Sequence, residues 1–286
     1  MSHKPYSITI DEKVAPIHVA GYRGRMLVRY RTPTLVEGLR AFIADGWPME
    51  KAVARADDRE VHQISFGKGE GFYVKRYQVK GFKLFLRTLL CVNKAQKAWR
   101  IGRKMRLKGI ATPLPMALLK KRHSLFWTEY VCITKGLFDA VALSEAVARV
   151  QGRQQYQRER RRRLIADGAK YMADLHIHKI YHSDFTADNI LVRESEDGQR
   201  FEIFLIDLDA VRTIFRISDR RRDKNLERMG RNFLDLRMIS TADRARFLKY
   251  YLGYYSCEKR SLRKLFRDIL KRTEQRLEDR GLSFIR

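Results

Sequence analysis

The sequence predicts an α+β protein of two lobes, a small β-rich amino-terminal lobe with one helix and a larger, mainly helical carboxy-terminal lobe. Its 286 residues suit two domains of ordinary size better than one. Apolar residues alternate with polar ones in short runs between residues 61 and 131, whereas helical spacing dominates after residue 154. We therefore expect lobes of residues 1–130 and 131–286. The first includes an extension, residues 1–48, in which the signals are weak.

The amino-terminal lobe is predicted from strands of period two. Val61–Phe66 and Phe72–Tyr77 alternate like the two strands of a hairpin around a glycine-rich turn. Asn93–Leu107 has helical spacing and ends at a Gly and Pro segment. Leu125–Val131 is typical of a further strand, and Leu35–Ala44 is the one helical pattern in the extension.

The carboxy-terminal lobe is predicted from helical spacing and one hairpin. The short apolar runs Ile190–Val192 and Phe201–Ile206 flank a turn through residues 195–198, which indicates two paired strands. The predicted helices of this lobe are Gln154–His176, Asn225–Met238, Thr241–Tyr251 and Ser261–Leu277.

Polar residues around this hairpin point to phosphoryl transfer. His182, Asp184 and Asn189 form an H-x-D-x-x-x-x-N element, and the hairpin that follows ends at Asp207. This is the catalytic-loop and metal-loop pair of the protein-kinase superfamily. Because an Asp can take a hydroxyl proton and Mg²⁺ prefers oxygen ligands, we predict Asp184 as the catalytic base and Asn189 and Asp207 as the metal ligands. The cofactors are then ATP and Mg²⁺, within a bilobal protein-kinase-like fold.

The competing interpretation of this motif is a surface hairpin whose Asp and Asn residues only form turns. It does not account for the order and spacing of the four polar positions relative to two apolar strands. The three nearby histidines, His176, His178 and His182, lack the spacing of a zinc site, and His182 is better explained as a packed residue that orients the catalytic loop.

Lys75 is the predicted ligand of the nucleotide phosphates, because it lies in an apolar strand upstream of the catalytic loop. The alternative is a Lys on an edge strand that points to solvent. Protein kinases supply a Glu to this Lys from the following helix, but the chain has no acidic residue between positions 71 and 128. The ion pair is therefore absent, replaced by Gln96, or supplied by Glu60 or Asp57.

Other nucleotide contacts are predicted around Lys75. The glycines of residues 67–71 lie too close to Lys75 to form the phosphate-covering loop, which we place at residues 54–59, a segment without glycine. The strand that ends at Val131 leads into the interlobe hinge, whose backbone would bind adenine. Glu129 and Val131 are the predicted contacts there.

Charge is the strongest feature of the composition. Lys plus Arg number 60 against 33 Asp plus Glu, for a net charge of +27. Such a field favours nucleic acid, an acidic membrane surface or a phosphorylated glycolipid. No nucleic-acid partner is expected, because aromatic residues are not interleaved with the basic runs as a stacking platform requires. No segment resembles a signal peptide or an apolar membrane span, so we expect a cytoplasmic protein, peripheral on the membrane.

The chain resembles the lipopolysaccharide kinase (Kdo/WaaP) family of bacterial protein-kinase-like enzymes over about Val61–Tyr251. The resemblance implies ATP-dependent phosphorylation of an inner-core sugar, Kdo or heptose, on lipid A-linked core oligosaccharide at the cytoplasmic face of the inner membrane. It implies that oligosaccharide and the anionic inner-membrane surface as partners, and no protein partner is predicted. The matching segments are Phe72–Tyr77, Lys97–Arg100, Gly109–Pro113, Thr128–Tyr130, His182–Asn189, Leu205–Asp209, Arg221–Leu226 and Arg246–Tyr251.

The chain departs from eukaryotic protein kinases where regulation is concerned. Ser183 replaces the Arg of the H-R-D motif, Leu208 and Asp209 stand in place of Phe-Gly, and no A-P-E tripeptide occurs. An activation loop read by that Arg is not expected, which favours a glycan or small-molecule acceptor. The alternatives are a protein or soluble-metabolite kinase on the same fold and, from another class, a pseudokinase or a basic nucleic-acid-binding module.

Overall fold

The computed structural model describes residues 13–48, 52–56, 58–66, 70–82, 93–231, 239–256 and 258–279. Its contacts divide the chain into two units, Met1–Phe138 and Asp139–Arg286. The boundary follows the strand Trp127–Lys135 and lies later than residue 130, where the sequence analysis places it. The reason is that this strand continues beyond Val131 to Lys135, so the chain leaves the sheet later than the sequence analysis expects.

An antiparallel sheet forms the amino-terminal unit. In the described residues its order is β1-β2-β6-β7-β5-β4-β3, so β5 and β7 are neighbours in its centre. The hairpin predicted around the glycine-rich turn is confirmed as β4 and β5, although the turn residues 67–69 lie outside the described residues. The strands are β1 (Val14–Val19), β2 (Tyr22–Leu27), β3 (Ala52–Ala56), β4 (Arg59–Phe66), β5 (Glu70–Lys80), β6 (Pro115–Ser124) and β7 (Trp127–Lys135).

Among the described residues two helices pack on this sheet, and both were predicted. In α1 (Pro33–Ala44), Thr32 caps the amino terminus and Leu35 and Leu39 enter the core, because residues four apart share one face. In α2 (Lys94–Leu107), Asn93 is the cap and Ala95 packs among side chains of β5 and β7. The α2 helix contacts β5, β6 and β7.

The carboxy-terminal unit is mainly helical, as expected. The helix predicted at Gln154–His176 is confirmed within one residue at each end, as are those at Thr241 and Ser261 at their starts. The third helix begins at Asp219 rather than Asn225, because its first turn is almost entirely charged and shows no apolar period. The helices here are α3 (Leu143–Arg149), α4 (Gln155–Ile177), α5 (Asp219–Arg231), α6 (Thr241–Tyr254) and α7 (Leu262–Glu278).

Short strands carry the polar motif of this unit. The predicted hairpin is confirmed as β10 (Ile190–Glu194) and β11 (Phe201–Leu205), paired in register from Ile190 opposite Leu205. Gly198 takes a positive φ of 64° in its turn, where glycine has no steric cost. Ahead of it, β8 (Val141–Ala142) pairs with β10, and β9 (Ile180–His182) pairs with β12 (Val211–Thr213). Among the described residues, no helix has the length and apolar character needed to cross a membrane.

Candidate active site

The loop between β9 and β10 carries Asp184. Phe185, the next residue, is almost fully buried and meets the ring of His182 edge to face, with 5.9 Å between the ring centroids. The packed Phe185 side chain fixes the loop to the core, while Asp184 itself is exposed. The carboxylate of Asp184 is therefore presented to solvent on a loop whose base is packed into the core.

Asn189 closes the same loop. Its Nδ2 atom donates hydrogen bonds to the backbone oxygen of Asp184 at 2.9 Å and to Oγ1 of Thr186 at 3.1 Å. Because an Asn side chain has one amide nitrogen and one carbonyl oxygen, this orientation turns Oδ1 away from the loop. Asn189 thus holds the loop with one end of its amide and keeps an acceptor at the other.

Asp207 lies beside Asn189 because of the register of the hairpin. The residue after β11, Ile206, donates its backbone N–H to the oxygen of Asn189 at 2.9 Å. Asp207 follows directly and has a left-handed backbone, with φ of 55° and ψ of 52°. Such a conformation is uncommon for a residue other than glycine and is concentrated at functional sites. The structure thus brings Asp184, Asn189 and Asp207 together within one unit.

His182 ties the two loops to each other. Its Nδ1 atom accepts the N–H of Asp184 at 3.2 Å, so Nε2 carries the proton and donates it to the backbone oxygen of Asp207 at 3.3 Å. Burial lowers the pKa of His182, which keeps the ring neutral and in this tautomer. The predicted orienting role agrees with this geometry.

A second layer of hydrogen bonds holds the loop from α5 and from Ala210, the residue before β12. Asn225, on α5, is almost fully buried and donates Nδ2 to the backbone oxygen of His182 at 2.7 Å. The hydroxyl of Ser183 donates to the oxygen of Ala210 at 2.8 Å. The sequence analysis assigned Asn225 no role, because a polar residue gives no distinct signal inside a strongly charged helix.

The histidines do not form a metal site. His176 contacts the hydroxyl of Tyr251 through Nδ1, and His178 contacts the oxygen of Asp174, so they engage different partners from those of His182. Within the described residues no group of three or more His, Cys, Asp or Glu side chains has the arrangement of a metal site.

Lys75 lies in the amino-terminal unit, in the centre of the sheet. It is half-buried, and its strand, β5, pairs on one side with β4 and on the other with β7. The edge-strand alternative is therefore wrong. Lys75 stands opposite Cys132, which belongs to the cluster packed with Ala95 of α2. Because side chains alternate along a strand, Lys75 lies on the face of the sheet that α2 covers.

Of the partners predicted for Lys75, Glu60 is excluded by its position in the sheet. Glu60 is opposite Arg76, not Lys75, and accepts a hydrogen bond from Nη1 of Arg76 at 3.2 Å. It lies on the other face of the sheet, so Glu60 is not the partner of Lys75. Gln96 remains a candidate in the first turn of α2, while Asp57 lies outside the described residues.

The predicted adenine contacts at Glu129 and Val131 need correction. Val131 lies within β7, between Arg76 of β5 and Leu119 of β6, so its backbone groups belong to the ladder of a strand paired on both sides. They are not available as hinge donors or acceptors. The physical reason is the length of β7, which reaches Lys135 before the chain leaves the sheet.

Glu129 has a structural environment instead. It is almost fully buried and accepts hydrogen bonds from the hydroxyl of Tyr22 and from Arg76, and Nε2 of His123 lies 3.1 Å from its carboxylate. Burial alone would raise the pKa of Glu129, but the hydrogen bonds from Tyr22, Arg76 and His123 outweigh it and lower that pKa. Glu129 is thus an ionised centre of a buried network.

The fold can be compared with solved structures. WaaP in complex with acyl carrier protein aligns with a TM-score of 0.61 at 21% identity, covering 84% of this chain and 92% of that one. The Rio2 kinase of Chaetomium thermophilum, in an ADP/Mg²⁺-phosphoaspartate complex, aligns with a TM-score of 0.46 at 15% identity, covering 92% of this chain and 81% of that one. No curated protein matches the sequence. The likeness to WaaP defines a protein-kinase-like fold.

The sequence itself gives the family. The family model described as "Lipopolysaccharide kinase (Kdo/WaaP) family" matches residues 49–251, which is most of the chain. The chain belongs to the lipopolysaccharide kinase (Kdo/WaaP) family and is a phosphotransferase, as the resemblance predicted. The matched segment contains all six residues predicted for the site.

Proposed function

We propose that this protein transfers the γ-phosphate of ATP to a sugar hydroxyl of the lipopolysaccharide inner core, Kdo or heptose, on lipid A. The observation that supports this most directly is the cluster of Asp184, Asn189 and Asp207, held by one loop and one hairpin in a chain of the lipopolysaccharide kinase family. Those residue types, in that order, are what phosphoryl transfer to a hydroxyl requires.

Asp184 is the proposed catalytic base. Its carboxylate is exposed, while its backbone is fixed by hydrogen bonds to His182 and Asn189. A base must be accessible to the acceptor yet held in one position, because misplacement by about 1 Å is costly to rate. Asp184 would accept the proton of the sugar hydroxyl as its oxygen attacks phosphorus.

Asn189 and Asp207 are the proposed magnesium ligands, and their chemistry fits that ion. The amide nitrogen of Asn189 is engaged by its own loop, which leaves the lone pairs of Oδ1 for a metal ion. An amide oxygen and a carboxylate are the hard ligands that Mg²⁺ prefers. When bound, the ion would supply neutralisation of the phosphate charge. The left-handed backbone of Asp207 directs the chain out of β11 at this point.

Lys75 is proposed to bind the phosphates of ATP. A cation on a central strand of the sheet is held rigidly, which favours a positioning role over a solvated one. Glu129 and Val131 are no longer assigned as adenine contacts. The segment that follows Lys135 is the next one to test for them.

The acceptor and its location are proposed from charge. A net charge of +27 suits an acceptor that carries phosphates and carboxylates and lies on an anionic lipid surface. We place the protein at the cytoplasmic face of the inner membrane, peripherally bound. Because the likeness to the WaaP complex with acyl carrier protein is one of fold, the absence of a protein partner stays a prediction, which a pull-down with acyl carrier protein would check.

The experiment is an acceptor screen with product analysis. Purified protein is incubated with ATP and Mg²⁺ and with Kdo-lipid A, a heptosylated core acceptor, or a generic protein substrate, and the products are analysed by mass spectrometry. We expect one added phosphate on one of the glycolipids. Phosphate on protein alone, or on nothing despite ATP binding, would contradict the proposal.

A further inference from the structure

A basic pocket adjoins the catalytic loop in the carboxy-terminal unit. Its volume is about 490 Å³, and it is open to solvent. It lies between the β9–β12 pair and α5. In the described part of the chain no acidic side chain lines this pocket, whereas five cations do: Arg212, Arg220, Arg221, Lys224 and Arg228.

The pocket is close to Asp184 through the backbone. Ser183, the residue before Asp184, lines it together with Tyr181. Arg212 stands opposite Tyr181 in the β9–β12 pair, and the guanidinium carbon of Arg221 lies 5.9 Å from the centre of the Tyr181 ring. The cations therefore surround the strand that leads directly into the proposed base.

The acidic residues of α5 are engaged elsewhere. They recur every four residues and so form one row along the helix. Each is paired with an arginine outside the pocket: Asp219 with Arg222 at 2.8 Å, Asp223 with Arg260 at 2.7 Å, and Glu227 with Arg231 at 3.3 Å. This row is thus neutralised by partners that take no part in the pocket.

The basic row of α5 has no such compensation. Arg221, Lys224 and Arg228 are three and four residues apart and share a face. Among the described residues, no acidic side chain forms an ion pair with any cation of the pocket, and Nη1 of Arg228 is buried without a hydrogen-bond partner. A buried donor that lacks an acceptor is costly, so such a group in a concave site is suited to contact a bound anion.

The electrostatics agree with this geometry. Burial and the neighbouring cations Arg220 and Arg228, with two further arginines of α7, lower the pKa of Lys224. Like charges thus repel one another in the pocket. A bound anion would relieve that repulsion and accept charge-assisted hydrogen bonds from these cations.

We propose that this pocket binds an oxyanion of the acceptor, a phosphate or a carboxylate, and so places the acceptor at the catalytic loop. Arginine suits both groups, because its planar guanidinium donates two parallel hydrogen bonds to them. The inference rests on the proposed function, in which the ATP phosphates are assigned to Lys75 and the metal ligands. The pocket cations are then left for the other substrate.

The test compares Arg221→Gln and Arg228→Gln with Arg267→Gln, which removes the same charge from an exposed position on α7. The probe is deacylated lipid A-linked core oligosaccharide. For the two pocket variants we expect the KM for this acceptor to rise about tenfold or more, as for loss of a charge-assisted hydrogen bond. The KM for ATP should change by less than about twofold. Arg267→Gln should change neither value.

Two further measurements separate this inference from the proposed function. Calorimetry with the same oligosaccharide and no ATP measures acceptor binding even if no transfer occurs, and loss of binding in the pocket variants would support the pocket. Thermal unfolding should show the variants to be as stable as the wild type or more so, since repulsion is relieved. Pocket variants that match Arg267→Gln in affinity would overturn the inference and leave the proposed function intact.

The source of the anion follows from modified probes. Two modified acceptors are used, one treated with phosphatase and one whose carboxyl group has been reduced. On the acceptor that lacks the bound group, the wild type should itself show the raised KM. Removing the group that the pocket binds should also abolish the difference between wild type and Arg221→Gln. If that difference in KM persists on both modified acceptors, the pocket does not bind an anion of the acceptor.

Discussion

Asn189 donates its side-chain amide to the backbone oxygen of Asp184, with 2.9 Å between the two atoms. One proposed metal ligand thus fixes the loop that presents the proposed base. The bond also sets the amide so that its oxygen faces outward. A local hydrogen bond therefore couples the position of the base to the orientation of the ligand, and loss of the Asn189 amide is expected to disturb both roles.

Asp184→Asn tests the proposed base. The amide keeps the shape of the side chain but cannot accept the acceptor's proton as a base, so kcat should fall about 10²- to 10⁴-fold. ATP binding should be unchanged. Asp188→Asn is the matched control, because Asp188 is an exposed carboxylate of the same loop, and its rate should stay within about twofold. An Asp184→Asn enzyme as active as the Asp188→Asn enzyme would refute the assignment.

Asn225→Ala tests the support from α5. It removes the 2.7 Å hydrogen bond to the oxygen of His182 and leaves that buried acceptor unpaired, which should lower the free energy of unfolding by about 1–3 kcal/mol. We also expect kcat to fall about tenfold with an unchanged KM for ATP, because the loop loses its position.

Thr273→Val is the comparison for Asn225. Thr273 donates a buried hydrogen bond of 2.9 Å to the oxygen of Ile269 within α7, away from the loop. Its removal should affect stability but not kcat. If both variants lose stability and neither loses rate, Asn225 has a structural role only.

Glu129→Gln distinguishes a buried network from an adenine contact. The change removes the charge that Arg76 and Tyr22 surround, so the free energy of unfolding should fall by about 2–4 kcal/mol, measured by urea denaturation. The KM for ATP of the folded variant should equal that of wild type. Glu145→Gln, at an exposed ion pair with Arg149, should cost less than about 1 kcal/mol. A raised KM for ATP without loss of stability would restore the hinge assignment.

Acid should destabilise the protein through its buried histidines. Burial lowers the pKa of His176 to about 3 and lowers that of His182, so in the folded state both stay neutral where the unfolded chain takes up protons. Their contribution is complete above about pH 6.5 and is lost as the pH falls below it, by up to about 1.4 kcal/mol per pH unit for His176, with a further loss in the same direction from His182.

Denaturation at pH 7.5, 6.5 and 5.5 checks this dependence. We chose this range because Glu258, whose pKa is lowered to about 2 as hydrogen bonds from Arg260 outweigh its burial, loses its contribution only below about pH 4.5. His176→Asn should reduce the slope, because it removes the buried ring whose pKa is lowered most clearly. Equal slopes in wild type and His176→Asn would contradict the histidine account.

Local patterns predicted the elements that contain the site. The α4 helix has a clear apolar period from Leu164 onward, and the β10–β11 hairpin is short with a Gly turn, so neighbouring residues determine both. That is why Asp184, Asn189 and Asp207 were found from spacing. Val131 and Glu129 were misplaced because the end of a strand depends on its partners in the sheet, and those partners are distant in sequence.

Tertiary pairing explains the other omissions. The strands β1, β2 and β6 were not predicted. β1 and β2 form a local hairpin, but it joins the sheet through the pairing of β2 with β6, which is distant in sequence. The α5 sequence appears as one run of mixed charge. Only the fold shows that Asp223 is neutralised by Arg260 while Arg228 is left beside the catalytic loop.

The most direct test of the central claim is transfer of labelled γ-phosphate from ATP with Mg²⁺ to Kdo-lipid A and to a heptosylated core acceptor. Wild type is compared with Asp184→Asn and Asp188→Asn at equal protein concentration. We predict label on one of the two glycolipids for wild type and Asp188→Asn, and at most a hundredth of that rate for Asp184→Asn, as expected for loss of a general base. Equal labelling by all three proteins, or label on neither glycolipid, would contradict the account.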